Sequence, residues 1–344
     1  MSSPEQPINY SSQLLQEMNQ ARPVLARRAS PVLPTEIIRD EQLSSEYEAN
    51  IFYASELGQR SGSFKTRGAE YSIYNMTYEE RKSGLVTVTE GNHGLSIALS
   101  SKWALDNTQI EMPVDIFMPI ITPDYKVARI AELGEDAVNK RPPEGENFEE
   151  SLELAKAYAE AKGKTFISPY DGIRVIAGQA TLAAEICEAV PNIDMAICTI
   201  GGGGLIAGTS VVIKDKNPDA TIIGVEPEGA ASWQYAVEQG KPSPLPGEVS
   251  TYVDGAAVRK VGELPFKLAG HLVDLVIGVP DHDLREAVTW LWERPSRPLK
   301  VELAAGLPLA GLRRYRESIK GKNVVLILSG RTISLERYEN EVRV

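Results

Sequence analysis

The chain has 344 residues, 42% of them hydrophobic, enough to build two lobes with cores of their own. A formal net charge of −11 argues against a nucleic-acid or anionic-membrane partner, since either would demand clustered Lys and Arg. The two cysteines, Cys187 and Cys198, sit in apolar runs and no Cys/His cluster has zinc spacing, which excludes a disulfide framework and suits a reducing compartment.

The first eight or so residues open the polar stretch MSSPEQPINYSS. It has no apolar segment of the secretory kind and is expected to start in disorder. No apolar run reaches membrane-spanning length, so the expected location is the cytoplasm. Next come short runs rich in Val and Ile: IFYA from Ile51, LVTV from Leu85, VDIFM from Val114, MAICTI from Met195, TIIGV from Thr221, LVDLVIGV from Leu272 and VVLIL from Val324. Between them lie amphipathic stretches such as FEESLELAKAYAEAKG from Phe148 and AGQATLAAEICEAV from Ala177. This alternation predicts an α/β protein with open, largely parallel, buried strands flanked by helices. Residues 139–147 (NKRPPEGEN), 241–248 (KPSPLPGE) and 294–298 (RPSRP) read as loops.

Three segments carry chemistry, each a small or polar loop between a strand and a helix. In SGSFKTRG, residues 61–68, Gly62 and Gly68 bracket Phe64 and Lys65. A lysine buried there would lose its charge readily and attack an aldehyde; on its own the feature equally describes an exposed lysine at a helix start. In TVTEGNHG, residues 87–94, Gly91 and Gly94 would bring backbone amides to a helix N-terminus, an anion site suited to a carboxylate. Asn92 would donate to a phenolate oxygen, and the same residues also fit an ordinary strand-to-helix turn. In the third, Gly201, Gly202, Gly203 and Gly204 follow MAICTI. Four glycines in a row are costly in chain entropy and make sense where several N–H groups wrap a phosphate, a tight turn being the other reading. Neither a Walker lysine nor a dinucleotide fingerprint accompanies them. A lysine, an Asn-bearing anion loop and a phosphate loop are together the parts that hold pyridoxal phosphate.

SGSFKTRGA, EGNHG, FISPYD with VIAGQ downstream, IGGGGLIAG, IGVEPEGA and a late LSG resemble, in order and spacing, the fold type II pyridoxal-phosphate enzymes. Within these, the threonine/serine dehydratase and serine racemase group is the nearest. The likeness covers residues 34–334, including the small-domain pattern IFMPIITPDYKVARIAELGEDAV. It implies a two-lobed architecture with the cofactor in the interdomain cleft, residues 1–82 plus 164–344 forming the large domain and 83–163 an inserted small one. It further implies that Lys65 bonds the cofactor's aldehyde and later moves the Cα proton. Phe64 would pack on the pyridine ring and Asn92 would bond the phenolate oxygen. Gly201 to Gly204 would hold the phosphate and Ser329 would face the pyridine nitrogen. Thr89, Gly91 and His93 would receive the substrate carboxylate, and a homodimer is implied.

Some positions depart from the group. Glu90 stands where Ser or Ala is usual and resembles diaminopropionate ammonia-lyase. It could serve as an acid/base opposite Lys65, hold a cationic or hydroxylated substrate side chain, or face solvent. Arg331-Thr332 replaces the common Gly-Asn, and Arg331 could point away or alter the pocket near the nitrogen. Glu226 and the Ala230 carbonyl match a racemase-type metal site, but Ser232 stands where its second acid would be, so no metal is expected. Glu302 in ELAAG is a partial match to a further motif. No regulatory C-terminal domain is expected. The activity implied is α,β-elimination from a small amino acid such as threonine or serine, giving a 2-oxo acid and ammonia. Racemisation or epimerisation by Lys65 and Glu90, β-replacement, and a catalytically inactive cofactor-binding protein are the alternatives.

Overall fold

A computed structural model describes residues 9–109, 111–139, 141–295 and 297–343; the expected disordered start falls outside them, apart from its last residues. The strands are β1 (Glu36–Arg39), β2 (Asn50–Ser55), β3 (Leu85–Val88), β4 (Val114–Phe117), β5 (Thr165–Phe166), β6 (Met195–Thr199), β7 (Thr221–Pro227), β8 (Leu275–Val279) and β9 (Asn323–Leu328). They form a six-stranded sheet in the order β1-β2-β9-β6-β7-β8 and a three-stranded sheet in the order β4-β3-β5. Every pairing is parallel except the antiparallel edge pair β1–β2.

Parallel strands need helical crossovers, and the crossovers cover both faces. In β9, Val325 and Ile327 pack toward helices Tyr10–Leu25, Ile173–Ala189 and Gly204–Lys216. The alternate residues Val324, Leu326 and Leu328 pack toward helices Asp281–Glu293 and Leu303–Arg314. The smaller sheet is also sandwiched. Leu85, Val114 and Ile116 meet the helix Asn92–Thr108, while Val86, Val88 and Phe117 meet the helix Phe148–Lys162. That last helix is closed at both ends by local chemistry: Asn147 Oδ1 accepts from Glu150 N at 3.0 Å, and Gly163 ends it at φ 61°.

Several sequence expectations shift. The run from Leu272 is strand only over Leu275–Val279, because the N–H groups of Leu272 and Val273 donate to Ala269 O and finish the preceding helix. The helix expected from Ala177 starts at Ile173. The smaller sheet includes β5 and so runs to Phe166, past the boundary drawn at residue 163. The three expected loops contain neither helix nor strand among their described residues.

One buried cluster fixes the helix Lys65–Tyr74, which follows the loop after β2. Arg67 is fully buried. It donates to Glu56 from Nε (2.8 Å) and Nη2 (2.9 Å), and to Glu185 from Nη1 and Nη2 (2.9 Å each). Thr181 Oγ1 takes the second N–H of Nη1, while Thr35 Oγ1 and the Leu33 carbonyl share the two Nη2 hydrogens with the carboxylates. Next to it the helix lies backbone to backbone on helix Ile173–Ala189: a Cβ at Gly178 would come within 2.6 Å of Gly68 Cα and Arg67 O. Removing one partner of a buried ion pair costs roughly 3–5 kcal/mol. Arg67→Met, which strands Glu56, should lower unfolding stability by about that amount in urea titration; a loss of only a few tenths would mean the cluster does not hold this helix.

Candidate active site

The four loops of interest open at carboxyl ends of parallel strands, the usual place for ligands in open α/β sheets. Lys65 follows β2, Glu90 follows β3, Gly201–Gly204 follow β6, and Ser329 follows β9. The structure brings these segments together around one cavity. Its lining includes Phe64, Lys65, Thr89, Glu90, Gly91, Asn92 and His93, all four consecutive glycines, and Ser329. Residues that the sequence reading passed over or left aside also line it: Lys126, Tyr170, Asp254 and Glu302.

Backbone bonds stitch the lysine loop to the end of β9. Phe64 N donates to Ser329 O at 3.0 Å, Arg331 N to Gly62 O at 2.9 Å, and Glu302 N to Gly330 O at 3.1 Å. Lys65 Nζ donates to the Pro169 carbonyl at 2.7 Å. Burial pushes its ammonium down to about 8, against the opposing charge of Glu302. A lysine so placed is easily freed of its proton, which a nucleophilic amine requires.

Asn92 Nδ2 donates to Glu302 Oε1 at 2.7 Å, while Asn92 Oδ1 is buried without a partner. Burial pushes the Glu302 carboxyl up to about 7, the Asn92 hydrogen bond working against it. Thr89 does not offer its hydroxyl to the cavity freely: Thr89 Oγ1 accepts from Gly91 N and Gly94 N at 2.9 Å each. The amides of Asn92 and His93, in the first turn of their helix, are left without intrahelical acceptors. His93 is buried, and burial followed by the charge of Lys65 holds its imidazole well below its ordinary value, hence neutral. Glu90 points inward rather than to bulk water. Burial and the Asp254 carboxylate push it up to about 8, with Lys126 pulling the other way.

Gly203 adopts φ +91° and ends the glycine loop at the N-terminus of helix Gly204–Lys216. Tyr170 lies against this loop; a Cβ on Gly202 would fall 2.2–2.6 Å from its ring carbons. Arg331 is exposed and does not line the cavity, so of the two possibilities the sequence left open its side chain points away. Glu226 is fully buried, with its carboxylate accepting from Trp233 N (2.9 Å) and Gln234 N (3.0 Å) at a helix start. The carboxylate is thus engaged with the helix next to Ala230 and Ser232. Glu302 was only a partial motif match in the sequence; its signal was an acid embedded in the apolar run VELAAGLPLAGL.

The pyridoxal-phosphate dependent enzyme family model matches residues 29–330, and the chain belongs to that family, in its fold type II branch. It is 35% identical over 309 residues to the biosynthetic L-threonine dehydratase of Halalkalibacterium halodurans, covering 90% of this chain and 72% of that one. It is 30% identical over 305 residues to the serine racemase of Schizosaccharomyces pombe, covering 88% and 90%. The processed form of threonine deaminase isoform 2 from Solanum lycopersicum superposes with a TM-score of 0.83 at 29% identity, covering 98% of this chain and 94% of that one. No helix among the described residues is long and apolar enough to cross a membrane.

The residues present fit pyridoxal phosphate. An amine of low basicity, the Asn92 carboxamide with its N–H donors, a hydroxyl and a run of glycine residues share one cavity. Gly202→Ala forces Tyr170 aside and intrudes on that loop. We expect it to weaken cofactor affinity about tenfold, in line with the cost of overpacking, on titration of the cofactor-free protein; unchanged affinity would place Gly202 outside the phosphate grip.

Proposed function

We propose that this enzyme carries out α,β-elimination on a small β-substituted amino acid, L-threonine and L-serine first, giving a 2-oxo acid and ammonia. The observation that carries the reading is that Lys65, the glycine loop and Ser329 meet in one cavity. The relatives named as threonine dehydratases support the choice of reaction. Bound pyridoxal phosphate supplies an electron-withdrawing ring that acidifies the Cα–H of the amino acid joined to it.

The chain's own groups do the rest. Lys65 is the amine that would hold the cofactor covalently, and its Nζ, when free, would take the Cα proton of the bound amino acid. Phe64 would flank the ring. Asn92, itself oriented by Glu302, would donate to the ring oxygen. The amides of Gly201–Gly204 would hold the phosphate, and Ser329 would face the ring nitrogen. A neutral hydroxyl there would not force that nitrogen to be protonated, which suits elimination. The first turn of helix Asn92–Thr108, with its positive end, receives the substrate carboxylate. We further propose that the smaller sheet with its helices, from about residue 83, moves as a lobe that closes over the cleft and excludes water. A cytoplasmic homodimer is the expected form.

The test is a panel of amino acids scored for ammonia and 2-oxo acid. L-Threonine or L-serine should react, and Lys65→Ala should lose about a thousandfold in turnover, the scale set by a missing general base. A Lys65→Ala protein that turns over like the parent would sink the assignment.

A second reading, racemisation, is favoured by one observation: Glu90 lines the cavity from the smaller-sheet side while Lys65 lines it from the other. A carboxyl held protonated until about pH 8 becomes a base only as pH rises through that value. The two-base route should therefore grow across pH 8 and vanish in Glu90→Ala while elimination persists. Chiral analysis of recovered amino acid reads it, and no change in either activity would remove Glu90 from the chemistry.

A further inference from the structure

The cleft is bridged by a charge cluster that none of the roles above uses. Lys126 belongs to helix Asp124–Gly134, on the smaller-sheet side. Its side chain is only 6% exposed, so its ammonium must be paired to be tolerated. It bonds the Asp254 carboxylate and donates to the Glu90 carbonyl at 3.2 Å. It also packs on the anion loop: a Cβ at Gly91, which sits at φ +156°, would come within 2.9 Å of Lys126 Cδ.

Asp254 lies on the other side of the cleft, in the turn Asp254–Ala256. Besides Lys126 it accepts from Arg337 Nη1 at 2.8 Å. Arg337 is carried by the C-terminal segment, and it also donates from Nη2 to Tyr252 O and from Nε to Glu341 Oε2, both at 2.8 Å. Burial alone would push the Asp254 carboxyl up; Lys126 and Arg337 instead hold it below its ordinary value. Glu90 and Asp254 also form the partition between the main cavity and an adjoining hollow lined by Tyr125, Ser334 and Arg337.

We infer that Asp254 is a charge hub through which Lys126 and Arg337 position the loop Thr89–His93 over the bound amino acid. The C-terminal segment thereby acts as a strap on the closed cleft. Lys126 and Arg337 are positioning residues, since both act through the loop. Both cations bond the same carboxylate oxygen, Oδ2, of the half-buried Asp254, so the carboxylate has its full compensation only when the lips are together. Opening the cleft separates Lys126 from Asp254, so the pair favours the closed form. The inference rests on the proposed role of that loop in taking the substrate carboxylate.

Two measurements on the holoenzyme test it. The first is amide hydrogen exchange of the peptide spanning residues 85–95 in the parent and in Arg337→Met, Lys126→Met and the double variant. The second is KM against kcat for whichever amino acid the panel identifies. Arg337→Met should speed exchange of that peptide and raise KM about tenfold while leaving kcat within about twofold, the scale of couplings carried through packed networks. Arg337→Lys should restore most of both, and the double variant should match the worse single one, since linked partners are not additive. Exchange confined to residues 334–343 with KM at the parent value would overturn the inference, as would single effects that multiply in the double variant. If no amino acid reacts, the proposed function fails while the exchange comparison still decides the strap.

Discussion

The site depends on where one helix begins, and Arg67 sets that. Lys65 is the first residue of helix Lys65–Tyr74, and the guanidinium two residues on is fully buried between two carboxylates. Taking such a charge from water is expensive, and the cost is offset only when every donor finds an acceptor at good geometry. Here the planar fork meets Glu56 bidentately and then Glu185, Thr181, Thr35 and the Leu33 carbonyl. These partners come from the segment after β2, from helix Ile173–Ala189 and from the segment leading into β1. A lysine could not satisfy them, because its point charge lacks the fork. The cluster therefore converts stability into orientation: the helix bearing the reactive amine has one seat on the larger sheet.

With Lys65 seated, its protonation follows from what surrounds it. Besides the neutral His93, three groups around the cavity have been brought close to neutral pH: Lys65 down to about 8, Glu302 up to about 7 and Glu90 up to about 8. Burial is the leading cause for all three, and it acts in opposite directions on a base and on acids. Groups brought near the working pH exchange protons at little free-energy cost, the condition that general acid–base chemistry needs. Asp254 stands apart. Two cations keep it ionised, so it carries fixed charge rather than a mobile proton. Its charge in turn helps to raise Glu90.

How far the sequence disclosed this varies by element. Strands β2, β3, β4, β6, β7 and β9 were legible because parallel strands buried on both faces are near-continuous apolar runs. The run EIIR of β1 was not, since an edge strand paired on one side carries only two apolar residues. Two-residue β5 offers no period at all. The start of β8 was misjudged because Leu272 and Val273 close a helix while looking like strand. In the site, Lys65, Asn92 and the four glycines announce themselves because each is embedded in a contiguous loop motif. Glu302, Lys126, Asp254 and Tyr170 reach the cavity from four separate segments, none of them a glycine-bracketed loop. A lone polar residue in an apolar run shows that something is buried there, not which cavity it faces. Arg331 shows the reverse: it is adjacent in sequence to Ser329 and Gly330, yet its side chain is exposed.

The two ionic clusters also divide labour. Around Arg67 the partners belong to elements that pack into the larger sheet and its helices, so that cluster has one arrangement. Around Asp254 the partners belong to opposite sides of the cleft, so the proposed closure would make and break that cluster. A buried pair whose members travel on the same rigid unit can only stabilise. A pair whose members travel on different units makes the closed state more favourable by its own interaction energy, and nothing more is required for two-state behaviour. The chemistry needs both kinds. In the proposed reaction Lys65 is fixed relative to the glycine loop and Ser329, which share its sheet, whereas the proposed closure requires the loop Thr89–His93 to open when a substrate amine and carboxylate arrive. A fixed cluster at Arg67 and a separable one at Asp254 meet those opposed demands with the same few residue types.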